Sequence, residues 1–465
     1  MSEMRRGSFI MRHTLRTILL ISLFLLRAFA QDHYLVRAPV SSINDIAKRH
    51  GVTLLKSLTG SGQGLHVVSV PNVWNAAQIV QGLKADSQVS SVEHDDGITV
   101  PEATSSAPPL RSHSGSLPLV NYQSMNFYFG SFAWGAYLNQ PAASIIGVSR
   151  SHQYATGAGI VAFLDTGVDF TQPVLASSLV AGYDFTRGWQ GGSDFPDLLN
   201  SFVPMLDDQS TTPILDPTDA GSLDDSIVVS QSTTPILDDD GTIILGQSTT
   251  PILDGFKAPN AFGHGTMVAG LIHLVAPTAK LMPVKVFSSD GTSTLSLIIS
   301  GIYYAVDHGA KVINMSFSFS GTSPELTNAI NYANSQRVIL VAAAGNNGMP
   351  LVLYPAGYNQ VMGVGSTNNL DGRSTFSNYG SVVSLAAPGE GLITTYPFNH
   401  YAAGWGTSFS TPLVAGAAAL LVDLNSNINE AQALTALSNA DPAGQGLGAG
   451  RLDLVQACQG THAKQ

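Results

Sequence analysis

Three residues in separate segments have the types needed for nucleophilic acyl chemistry. Asp165 ends an apolar run in Leu164-Asp165-Thr166-Gly167-Val168-Asp169. His264 stands in Gly263-His264-Gly265-Thr266-Met267-Val268-Ala269-Gly270. Ser408 stands in Gly406-Thr407-Ser408-Phe409-Ser410-Thr411-Pro412-Leu413-Val414-Ala415-Gly416. A serine hydroxyl is a weak nucleophile unless a base takes its proton. Imidazole is the side chain suited to that near neutral pH, and a carboxylate can orient it. A fourth residue, Asn346, lies in Ala342-Ala343-Ala344-Gly345-Asn346-Asn347-Gly348. Its amide can donate to a developing oxyanion. Each residue alone has a plain structural alternative. Asp165 suits a turn, His264 a core site, Ser408 a helix cap, and Asn346 a tight turn.

The elements around these residues follow from apolar periodicity. Residues 160–164 are a continuous apolar strand, and 281–287, 312–315, 338–344 and 361–364 are similar short runs. Helical stretches at 295–308 and 325–335 separate them. Such alternation predicts a mostly parallel sheet covered on both faces. Asp165 then sits at a strand C-terminus, where open α/β sheets hold functional groups. Ser408 is expected at the start of a helix over 409–422, whose amides and dipole favour negative charge. Pro412 is expected in the first turn of that helix, where no internal hydrogen bond is lost.

The N-terminal part reads differently. Arg5, Arg6, Arg12 and Arg16 precede a short apolar run at 18–26, and Ala28-Phe29-Ala30 is a small-x-small cleavage site. This is a signal peptide pattern, with the mature chain starting near Gln31. No later segment reads as a transmembrane helix. Residues 33–98 read as the order βαββαβ, with three of its four strands at 33–37, 65–70 and 89–93 and its helices starting at Ser42 and Trp74. Ser42 with Asp45 three residues on is a helix-start signature, and Gly51 is a stop. Residues 99–120 are rich in Pro, Ser, Gly and Thr without a period and read as an exposed linker.

Net charge is −11, falling to about −15 once residues 1–30 are removed. That acidity argues against binding nucleic acid through its phosphates. The one cysteine, Cys458, permits no intrachain disulfide. Between Gly188 and Phe256 there are twelve Asp and no Lys, Arg or Glu. Within it an octapeptide, Gln-Ser-Thr-Thr-Pro-Ile-Leu-Asp, occurs at 209–216, 231–238 and 247–254. This reads as an acidic insertion built by recent duplication. A solvated loop is the plain account, and calcium binding by clusters such as Asp238-Asp239-Asp240-Gly241 is the alternative. The cluster lacks the ligand spacing of an EF-hand loop.

Together the four motif segments resemble the subtilisin-like serine proteases, the subtilases. The order Asp, His, Ser is that family's order. The resemblance spans 33–98 and most of 121–456. It implies a subtilisin-like parallel sheet with helices on both faces, preceded by a small ferredoxin-like α+β prodomain at 31–98. The catalytic domain is expected at 121–460, with the insertion at about 188–256. By the same resemblance His264 is general base and then acid, Asp165 orients it, and Ser408 forms the acyl-enzyme. Asn346 and the Ser408 amide make the oxyanion hole. Substrate contacts fall to Ser316, Phe317, Ser318, Gly345 and Leu353. The resemblance requires no cofactor and no metal, and calcium stays open. It implies polypeptide substrates, a prodomain that inhibits its own enzyme, a monomer, and location outside the cell or in the periplasm, with no membrane attachment after signal cleavage.

Three departures matter. Asp165 and His264 are far apart in sequence because of the insertion, a length that loop closure tolerates. Val268-Ala269-Gly270 runs almost at once into Val275-Ala276-Pro277, leaving no room for a calcium-binding loop that many subtilases carry there. Leu353 stands where subtilisins that accept large side chains have a small residue, so a shortened pocket for small or medium apolar P1 groups is expected. Two other classes compete with hydrolysis: a binding or display protein on the same scaffold, and a peptide ligase or cyclase using the same acyl-enzyme.

Overall fold

The computed structural model describes residues 32–70, 76–100, 125–198 and 259–462, together with five two-residue strands between 214 and 257. The predicted signal segment, most of the predicted linker and the acid clusters of the predicted insertion lie outside the described residues. The chain divides into two compact units at Asp96/Gly97.

The N-terminal unit contains β1 (Asp32–Arg37), α1 (Ile43–His50), β2 (Thr53–Ser57), β3 (Leu65–Val70), α2 (Ala76–Ala85) and β4 (Ser91–His94). The strands form one antiparallel sheet in the order β2-β3-β1-β4. That is the expected βαββαβ arrangement. Its core joins Val36, Val68 and Val70 of the sheet to Ile43, Ile46, Ala47 and Leu83 of the helices. Gly51 ends α1 in the left-handed conformation with φ 66°, as its position required. Ser42 precedes α1 but its side chain makes no capping bond.

The second unit begins with Gly97–Thr99, which pairs antiparallel with Thr292–Thr294. The boundary therefore falls slightly before the end of the predicted N-terminal domain. Eight strands form the main sheet: β5 (Ile160–Asp165), β6 (Tyr183–Asp184), β7 (Trp189–Gln190), β8 (Lys280–Lys285), β9 (Ala310–Met315), β10 (Ile339–Ala343), β11 (Met362–Thr367) and β12 (Leu385–Pro388). Their order is β7-β6-β8-β5-β9-β10-β11-β12, and every pairing but β6 with β7 is parallel.

Four long helices cover this sheet: α3 (His264–Val275), α4 (Leu295–Asp307), α5 (Pro324–Ser335) and α6 (Thr407–Leu424). Side-chain alternation along β5 assigns the two faces. Val161 and Phe163 share a core cluster with α3 and α6. Leu164 faces the other way, where a Cβ on Gly301 of α4 would meet Val286, Val284 and Leu164 within 3.3 Å. Strand β5 has β8 on one side and β9 on the other. The strand order reverses there, which makes the C-terminal end of β5 a crevice.

A hairpin of β13 (Leu392–Tyr396) and β14 (His400–Gly404) packs on α3. Its threonines fix that helix: Thr394 Oγ1 donates to the Met267 carbonyl at 2.7 Å and Thr395 Oγ1 to Thr266 at 2.8 Å. Among the described residues α6 is long and apolar enough to cross a membrane, but it is 89% buried as the central core helix. The Ile-Leu pair of each octapeptide forms a two-residue strand, and Ile214–Leu215 pairs with β14.

Candidate active site

Asp165 is the last residue of β5 and is buried. Its Oδ1 accepts from the Thr166 N–H at 2.8 Å and faces His264 Nδ1 at 2.7 Å. A carboxylate only accepts, so Nδ1 carries the imidazole proton and Nε2 holds the lone pair that a base needs. His264 opens α3, and the Cβ of any residue at 265 would lie 2.0 Å from the Gly167 carbonyl oxygen. Glycine at 265 is therefore what lets the helix start against the Asp165 turn. Gly263 caps α3 with φ 82°, and a side chain there would strike the Tyr396 ring at 2.5 Å.

Ser408 is the second residue of α6, which packs on α3, so both helices deliver their first turns to one place. The rings of His264 and Phe409 lie 5.4 Å apart. The helix begins at Thr407, earlier than predicted, which puts Pro412 inside the helix rather than in its first turn. Proline lacks the N–H that would bond the carbonyl four residues back. That carbonyl belongs to Ser408, and Ser316 Oγ donates to it at 2.7 Å instead. The side chain of Ser316 thus satisfies the Ser408 carbonyl that Pro412 leaves without a helix partner.

Asn346 follows β10 and is half-buried. Its Oδ1 accepts from the Thr407 N–H at 2.9 Å and from Thr407 Oγ1 at 2.8 Å. A backbone N–H can bond only to oxygen, so the amide orientation is fixed. Nδ2 is then the donor atom of that amide, the type of group an oxyanion hole needs.

The predicted substrate contacts gather beside this point. A Cβ on Gly345, which has φ 105°, would lie 2.6 Å from both Leu353 Cδ1 and Asn378 Nδ2 and 3.3 Å from Ser318 Oγ. Leu353 therefore closes on the Gly345 backbone. Phe317 is turned into the core against Phe287, with ring centroids 5.0 Å apart. Residues 316–318 thus offer backbone rather than side chains.

Asn378 escaped the sequence reading. Its Oδ1 accepts from the N–H groups of Asn347 and Met349, and its Nδ2 donates to the Ala344 carbonyl at 3.0 Å. One amide thereby shapes the whole Asn346 loop. Thr166 and Lys285, which bond to each other behind Asp165, were missed as well. Cys458 is buried, and burial pushes its thiol up to about 12, far from a reactive thiolate. Among the described residues no group of three or more His, Cys, Asp or Glu is arranged to hold a metal ion.

A parallel sheet with an Asp–His pair at a strand end, and a serine opening the neighbouring helix, defines a nucleophilic site of the hydrolase kind. Residues 157–452 match the model of the subtilase family, Peptidase_S8, and the chain belongs to that family. It is 43% identical over 172 residues to thermitase of Thermoactinomyces vulgaris, covering 35% of this chain and 62% of thermitase. It is 32% identical over 317 residues to a thermophilic serine proteinase of Bacillus sp. (strain AK1), covering 67% of this chain and 65% of that one. Fervidolysin from Fervidobacterium pennivorans, described as a keratinolytic enzyme related to subtilisin, shares the fold with a TM-score of 0.66 at 22% identity, over 93% of this chain and 61% of fervidolysin. The chain thus spans less than two thirds of the length of each of these three relatives.

Proposed function

We propose that the protein is a secreted serine endopeptidase that cuts peptide bonds through an acyl-enzyme and removes its own N-terminal unit. The observation that carries this reading is the 2.7 Å contact between Asp165 and His264 Nδ1, set at the start of the helix that packs on the Ser408 helix. In this mechanism Ser408 Oγ attacks the scissile carbonyl and His264 takes the proton. Asp165 holds the imidazolium. Asn346 Nδ2 and the Ser408 N–H donate to the oxyanion. His264 then protonates the leaving amine, and water repeats the sequence on the ester.

The four-stranded N-terminal unit acts as the inhibitor and folding aid, and the linker at 99–120 is where it is cut. The signal pattern before Gln31 supports export, after which the enzyme works as a monomer on polypeptides. Leu353 against Gly345 and Ser318 supports a short S1 pocket for small or medium apolar P1 side chains. A peptide library with best cleavage after Phe or Tyr would defeat that preference.

The test of the main reading is the intact mass of residues 31–465, as wild type and as Ser408→Ala, followed over time. The wild type is expected to lose roughly its first 70–90 residues, as the linker position requires, and the variant to stay whole. Loss of the same piece from both chains would show that Ser408 is not the nucleophile that makes the cut.

A further inference from the structure

Behind Asp165 lies a charged group that the reaction does not touch. Lys285 ends β8, has no exposed surface, and pairs in register with Asp165 across the parallel sheet. A buried ammonium is costly unless its three N–H groups are taken. Lys285 Nζ donates to the Thr166 carbonyl, to the Phe287 carbonyl at 2.8 Å and to the Asp197 carboxylate at 2.8 Å.

Thr166 is the joint. Its N–H donates to Asp165 Oδ1, its hydroxyl accepts from the Gly265 N–H at 3.2 Å, and its carbonyl takes Lys285. One residue thus ties the catalytic carboxylate, the residue after the catalytic histidine, and the ammonium. Asp197 is held in turn by the Ser289 N–H at 2.7 Å, by Ser289 Oγ at 2.5 Å and by Arg187, which also reaches Asp184.

We propose that Lys285, locked by Asp197, is a positioning residue for catalysis: it fixes the Thr166 carbonyl and so the angle at which Asp165 meets His264. An apolar side chain of similar volume would serve fold stability as well or better, so stability alone does not account for an ion pair here. Every donor of this lysine ends on the two turns that shape the site, residues 166 and 287, or on the carboxylate that neutralises it. The inference rests on the hydrolytic reading above.

Wild type, Lys285→Met, Lys285→Gln and Asp194→Asn are compared by kcat, KM and the pH profile of kcat/KM, per fluorophosphonate-titrated site. The charged groups facing Lys285 are Asp197, Asp194 and, across the strand pair, Asp165. Lys285→Met is expected to lower kcat about 10–100-fold with little change in KM, the scale of a misplaced catalytic group. Its acid limb should move to lower pH, because His264 loses a well-aimed acceptor. Loss of positive charge alone would move the limb to higher pH. Lys285→Gln keeps an N–H for the Thr166 carbonyl and should recover part of kcat. Asp194→Asn should leave the limb in place.

Wild-type kcat in the Met variant, a limb moved upward, a limb moved by Asp194→Asn, or a Gln variant no better than Met overturns the proposal. If the Met variant does not fold, the Gln variant decides alone: reduced kcat with a lowered limb supports the proposal, and wild-type kcat overturns it. A wild type that neither labels nor cleaves contradicts the hydrolytic reading itself.

Discussion

Asp165 and Asp194 are both buried carboxyl groups of the second unit, and their turns touch. A Cβ on Gly167 would lie 2.8 Å from the Asp194 amide nitrogen and from the Gly192 carbonyl oxygen. Yet Asp165 receives Thr166 and His264, whereas neither Asp194 oxygen has a donor on another described residue. Burial pushes the Asp194 carboxyl up to about 7, with Lys285 pulling it down and Asp169 pushing it up. Depth does not separate the two residues. What is aimed at them does: one is built to pair with an imidazolium, and the other is built to stay protonated through acidic pH.

The comparison breaks first at Asp165. Asp165→Asn should cost about 10⁴ in kcat, since an amide favours the wrong imidazole tautomer. Asp194→Asn should leave kcat within about two-fold, because an amide replaces a group that is neutral in much of the range. Steady-state assays on both variants check this, and similar losses from both would erase the distinction. Next in size, Asn346→Ala should lower kcat about 10²–10³-fold with KM little changed, as loss of one oxyanion donor does. Leu353→Ala should open the pocket and raise kcat/KM for aromatic over alanine P1 groups about 10–100-fold, the worth of a few methylene contacts. Competitive cleavage of paired peptides reads that ratio.

The smallest effects are on stability, and their signs oppose. Asp194 has a folded value raised above its ordinary 3.8, so its contribution is fully present below that value and is lost as pH rises toward about 7. Asp194→Asn should therefore raise Tm increasingly from acid to neutral pH, with no further gain above it. His273 is buried beside Tyr128 and His152, and burial lowers it to about 4. The unfolded chain takes a proton at His273 below about 6.5, so wild-type stability should fall as pH drops toward 4. His273→Gln should flatten that slope in thermal melts. A slope unchanged in either variant would remove that residue from the account.

The parts legible in the sequence were those written locally. Strand β3 occupies the predicted 65–70, and β5 extends the predicted strand only to Asp165 itself. The candidate site residues stood out because each lies beside glycine or small residues, which close packing at Gly265 and Gly345 requires. What stayed hidden depends on distant partners. Pro412 reads as a first-turn proline until Ser316, 92 positions before Ser408, is seen to take the orphaned carbonyl. Lys285 passes unremarked inside the run 281–287 until Asp197 and the Thr166 carbonyl close around it. Asn378 has no local signature at all, because its four side-chain bonds all reach back to residues 344–349.

The most direct test is labelling with a fluorophosphonate, followed by peptide mapping, in wild type, His264→Ala and Asp165→Asn. The account predicts phosphonylation of the wild type at Ser408 alone, and a rate lowered at least about 10³-fold in both variants, because serine needs the oriented base. Label on another residue, or equal rates in all three proteins, would contradict an oriented Asp165–His264–Ser408 site.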